Sequence, residues 1–173
     1  MENKLAFTLP EKAKEFIEEL MNEEFFAISF YTYLSFCCTS KGYFMASKWA
    51  MKESESERNH FTRLSEFLQT RGVEPDVPEA ESPKIEFTDL RSGIKAAYEL
   101  EISLTQKYNE IIPLMFKVDI MAYLKLCEFM QVQEYALKEM GELWSMFENA
   151  ESDQYQRQLE QQRWGEQNET IAS

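Results

Sequence analysis

ESERNH, residues 55–60, ends on the only histidine in the chain, with a glutamate three positions before it. On a helix Glu57 and His60 lie one turn apart, so both side chains leave the same face. The surrounding stretch, residues 43–71, contains neither glycine nor proline, as expected of a long helix. Its inward stripe has a period near 3.6 and takes in Ala46, Ala50, Glu53, Glu57, His60, Leu64 and Phe67. The simplest role for His60 is a core histidine paired with Glu57; three other acids on inward stripes, Glu53 beside it and two on other helices, argue for more.

Residues 11–41, also free of glycine and proline, give the stripe Ile17, Leu20, Glu24, Ala27, Tyr31, Leu34 and Cys38. A run from about Thr88 to Ile112 gives Leu90, Ile94, Ala97, Glu101, Leu104, Tyr108 and Ile111, and Pro113 is expected to end it. Each stripe is apolar except for one carboxylate near its middle. A fourth run covers about Val118 to Phe147, and a polar tail is expected to form a short fifth helix, about residues 152–165, after a break near Asn149. Connections near residues 39–42 and 113–117 are short enough to join antiparallel neighbours, while residues 72–86, with GVEPDVPEAESP at 72–83, can run the length of a bundle. The expected fold class is all-α: an antiparallel four-helix bundle over about residues 11–148 with one long crossover and a short C-terminal helix, residues 1–173 forming one domain.

Charge narrows the partners. With 31 acidic and 18 basic residues the chain carries a formal charge of −13, which repels nucleic acid and anionic membrane surfaces and favours cations. The opening MENKLAFTLPEKAKEF has no apolar signal core, and no stretch approaches the roughly 18 apolar residues of a membrane span, so a cytoplasmic location is expected. Cys37, Cys38 and Cys127 read as buried thiols in a reducing compartment, and Met115, Met121, Met130, Met140 and Met146 as packing.

Burying several carboxylates close together is costly unless protons or a cation neutralise them. In a bundle of this topology Glu24, Glu57, His60 and Glu101 converge at mid-height from three helices. Oxygen ligands with one imidazole and no thiolate suit iron or manganese and also admit zinc. On the fourth helix two registers compete. Facing Gln133 inward gives Ala122, Leu126, Phe129, Gln133, Ala136, Met140, Leu143 and Phe147, with Gln133 the one polar member. Facing Gln131 and Glu134 inward also turns Lys138 to the core, so the first register is preferred, with Glu134 the alternative ligand.

These residues resemble those of the non-haem ferritins, ferritin-like di-iron carboxylate proteins. MNEEFFAISFYTYLS (21–35) is similar to their first-helix ligand segment, ESERNHFTRLSEFLQTRG (55–72) to the second and AYELEISLTQKYNE (97–110) to the third. QEYALKEMGEL (133–143) resembles the animal heavy-chain segment in which a glutamine, then an alanine three residues on, face the iron. The resemblance covers about residues 12–148. It implies a ferroxidase centre in which Glu57 bridges two Fe(II) ions, Glu24 and His60 bind one, Glu101 binds the other, and Gln133 holds a water nearby. Tyr31 then donates a hydrogen bond or an electron at the site, and O2 or H2O2 accepts the electrons of both irons.

The resemblance further implies homo-oligomeric cages of twenty-four subunits. It implies no haem, because the haem-ligating methionine that follows the bridging glutamate in bacterioferritins is Arg58 here. The residues near Glu57 that carry extra acids in related ferritins are Ser56, Asn59 and Thr62, so mineral growth is expected to be slow. A rubrerythrin-like peroxidase or other carboxylate dimetal oxidase, and a metal-free helical scaffold, are the alternatives; the first usually carries a cysteine module that is missing here.

Overall fold

The structure, a computed structural model, describes residues 8–79 and 82–165. Among the described residues there are five helices: α1 (Glu11–Ser40), α2 (Phe44–Thr70), α3 (Leu90–Val118), α4 (Ile120–Phe147) and α5 (Asp153–Trp164). The first four make two antiparallel hairpins, α1–α2 and α3–α4, packed together chiefly through α1 and α3. The architecture is an all-α four-helix bundle with a long crossover between α2 and α3 and a short fifth helix.

Local chemistry explains where the helices stop. Gly42 and Gly72 follow α1 and α2 with φ of 79° and 73°, a left-handed geometry that glycine adopts without steric cost. Asp89 opens α3 with a reciprocal cap: its carboxylate accepts from Ser92 N at 2.8 Å, and its own N–H donates to Ser92 Oγ at 3.1 Å. Asp119 separates α3 from α4 and caps the latter by accepting from Ala122 N at 2.8 Å. Arg71, at the end of α2, donates to both Asp119 oxygens at 3.2 and 2.7 Å, tying the two hairpins at one end of the bundle.

Three expectations need correction, the first being that of three buried thiols: Cys38 is buried, but Cys37 and Cys127 are half-buried. Pro113 does not end the third helix, which continues to Val118. Pro113 and Asn109, whose carbonyl a residue at 113 would ordinarily bond, are both exposed, while Ile111 and Met115 stay buried on either side. The α3–α4 connection is therefore Asp119 alone, not residues 113–117. Met121, read as packing, is 55% exposed in the first turn of α4.

The core is divided. One apolar cluster gathers Leu34, Tyr43, Ile94, Leu143 and Phe147 at the end where α5 docks. The other gathers Ile17, Leu64, Leu104, Met115 and Leu126 towards the opposite end. Glu24, Glu57, His60, Glu101 and Gln133 are all buried and belong to neither, forming a polar layer across the middle.

Candidate metal centre

Each helix of the bundle contributes to this layer from the stripe that its periodicity defines. Glu24 comes from α1, Glu57 and His60 from α2, Glu101 from α3 and Gln133 from α4; none is more than 6% exposed. Glu134, the alternative on α4, is exposed, as are Gln131 and Lys138.

His60 Nδ1 lies 2.9 Å from Glu57 Oε2 and 3.5 Å from Glu24 Oε2. Glu24, Glu57 and His60 each offer one ligand atom, and these atoms lie within 4.8 Å of one another. Glu24 Oε2 is buried and accepts no hydrogen bond. A carboxylate oxygen shut away from water without a donor is costly for the fold, and a cation supplies what it lacks. The donor set, two carboxylates and one imidazole, fits a borderline or hard divalent ion.

Glu101 is held differently. Tyr31 Oη donates to its Oε1 at 2.6 Å and Gln133 Nε2 to its Oε2 at 2.6 Å, so both oxygens are occupied. It stands outside the three-residue cluster, and a cation bound there must displace or share those donors. Sequence reasoning missed Tyr108, which is 1% exposed and donates to Glu24 Oε1 at 2.5 Å. The inward stripe of α3 included Tyr108 as a core position, and nothing in periodicity alone marks which core tyrosine carries a polar contact.

The electrostatics reflect crowded acids. Burial, then repulsion from Glu57, raises Glu101 to about 7 against the opposing hydrogen bonds from Tyr31 and Gln133. Burial also raises Glu57 to about 7, where the hydrogen bond to His60 opposes it and Glu24 adds to it. For His60 burial works downward, but the adjacent Glu24 and Glu57 carboxylates prevail and raise it to about 10. Burial raises the Tyr31 and Tyr108 hydroxyls well above their ordinary value, and the neighbouring carboxylates push the same way, so both stay protonated donors.

Between α2, α4 and α5 a cleft of about 800 Å³ reaches Glu57, His60 and Glu101. Glu53, one turn before Glu57, lines it and is raised to about 7 by burial and by Glu101 and Glu57. Trp49 and Trp164, stacked with ring centroids 5.2 Å apart, form part of its wall.

A family model of the ferritin-like domain matches residues 14–150. The chain belongs to the ferritin-like domain family. Among curated ferritin-like relatives it is 27% identical over 109 residues to a probable bacterial non-heme ferritin-like protein of Haemophilus influenzae, covering 63% of this chain and 66% of that one. It is 29% identical over 97 residues to the bacterial non-heme ferritin of Escherichia coli O6:H1, covering 56% and 59%. The match thus spans about three fifths to two thirds of these relatives' length. Among solved structures, the open pore ferritin of the hyperthermophilic archaeon Archaeoglobus fulgidus superposes with a TM-score of 0.84 at 18% identity, over 90% of this chain and 96% of that one. That likeness concerns the ferritin-like fold.

Proposed function

We propose that this protein is a ferroxidase of the non-haem ferritin kind, whose substrate is Fe(II) and which keeps the Fe(III) product within a cytoplasmic homo-oligomeric cage. The observation that carries the proposal is the convergence of Glu24, Glu57 and His60 within 4.8 Å, with Glu24 Oε2 buried and lacking a hydrogen bond. Glu57 is the bridge between two iron positions, Glu24 and His60 complete one, and Glu101 with Gln133 beside it forms the other.

The residues perform three tasks. Hard carboxylate oxygens stabilise Fe(III) over Fe(II) and so favour oxidation. Glu57 and Glu101, held near 7 in the metal-free protein, give up protons as the cations arrive. Tyr108 fixes one oxygen of Glu24 and leaves the other to the substrate, while Tyr31 and Gln133 hold both oxygens of Glu101, so the substrate there takes over the oxygen that Gln133 holds. Each of two Fe(II) ions loses one electron, and O2 takes both with two protons to become H2O2.

Anaerobic Fe(II) titration followed by exposure to O2, with the absorbance recorded, tests the reading. Saturation at two irons per chain and fast oxidation on mixing are expected; no binding, or oxidation no faster than in buffer, overturns it.

A further inference from the structure

The site tyrosines are arranged reciprocally. Glu24 and Tyr31 stand seven residues apart on α1, and Glu101 and Tyr108 stand seven apart on α3. Seven residues are almost two helical turns, so in each helix the acid and the phenol share a face. The bonds then cross between helices: Tyr31 of α1 donates to Glu101 of α3, and Tyr108 of α3 donates to Glu24 of α1, at 2.6 and 2.5 Å. All four side chains are at most 2% exposed.

We infer that Tyr108 is a positioning residue of the metal centre, fixing Glu24 so that it meets the cation beside His60 through Oε2 alone. This rests on the ferroxidase reading above. A carboxylate with both oxygens free binds a cation through one or both and rotates between the two modes. Tyr108 occupies Oε1 and leaves Oε2 3.5 Å from His60 Nδ1 with no other donor. The phenol is itself fixed, because its ring stacks on Phe129 at 6.3 Å, and Phe129 in turn meets the His60 ring edge-on at 6.3 Å. One aromatic thus supports a ligand directly and, through Tyr108, the orientation of another. At the other cation position Tyr31 acts on Glu101, whose second oxygen Gln133 occupies. The two positions therefore respond to different tyrosines.

Co(II) titration of the metal-free protein, followed by its visible absorption bands and by calorimetry, separates the roles. Tyr108→Phe removes one oxygen and keeps the ring, so helix content should not change. The first Co(II) equivalent should bind about 10-fold more weakly with an altered spectrum, as loss of an outer hydrogen-bond partner commonly produces, while the second keeps its spectrum. Tyr31→Phe should do the converse. In a Glu24→Gln background, Tyr108→Phe should add little. A wild-type protein that binds no Co(II) defeats the metal-centre reading itself. Wild-type binding of two ions, with Tyr108→Phe matching it in spectrum and affinity, makes Tyr108 packing only and overturns this inference. Equal effects of Tyr108→Phe with and without Glu24→Gln overturn it as well.

Discussion

Glu57 and His60 carry the most chemistry per residue, one as the proposed bridge and the other as the only imidazole in the chain. Replacing both with alanine should slow Fe(II) oxidation by more than the roughly 10–100-fold that loss of an outer partner costs, with helix content by circular dichroism unchanged. Oxidation still fast in a folded double variant would put the site elsewhere. The same groups set a pH dependence. In the metal-free protein Glu57 and Glu101 rise from 4.5 to about 7, so between those values the folded chain binds more protons than the unfolded one. Their contribution to stability is fully present below pH 4.5 and is lost as pH rises towards 7. His60, raised from 6.5 to about 10, adds stability that is lost between those two values. Melting temperature of chelator-treated protein should therefore fall from pH 5 to pH 8, roughly the window these shifts define. A saturating divalent cation should flatten the curve by replacing the protons. A rise over that window without metal would contradict the crowding of buried acids.

Among the elements, the α3–α4 corner rests on one side chain. Asp119 caps α4 through Ala122 N, and pairs with Arg71, itself only 7% exposed. Asp119→Ala removes a helix cap and one half of a largely buried ion pair, a loss of about 2–4 kcal/mol. In a chain of this size that lowers the melting temperature by roughly 5–15 °C. A shift below 2 °C would show the corner to be dispensable. At the other end α5 substitutes for a missing cap: Tyr43, at the N-cap of α2, gives no side-chain cap, and Glu160 of α5 accepts from Met45 N and Ala46 N, each at 3.0 Å. This contact makes α5 part of the support for the helix that carries Glu57 and His60.

For the whole molecule, the proposed assembly is a cage, and size-exclusion chromatography should give a particle far larger than 20.5 kDa. Ser56, Asn59 and Thr62, all exposed on α2 near the cleft, offer no negative charge to Fe(III) leaving the centre. Stopped-flow addition of Fe(II) should show rapid oxidation of the first two irons per chain and a marked drop beyond them; an undiminished rate over many additions would refute this view of the surface. Arg58, which occupies the haem-ligand position of the bacterioferritins, is exposed and lies 3.4 Å from Glu55. Protein made with ample haem should show no Soret band.

Much of this molecule is written in its periodicity. Apolar spacing and sparse glycine and proline determined the long helices, their inward faces and the three acids placed on them, because a helix that must bury a stripe leaves few choices of orientation. Gln133 was legible for the same reason, since the competing register would have turned Lys138 inward. Pro113 was misread because a local rule met a tertiary context: the proline is exposed, and the packing of Ile111 and Met115 holds the helix through it. Only the tertiary structure decided which carboxylate oxygen is left without a donor, that Tyr108 reaches across to Glu24, and that Glu160 caps α2. Those contacts join residues 84 and 115 positions apart. Periodicity assigns a side chain to a face, but the partner it meets there depends on how separate helices are set against one another.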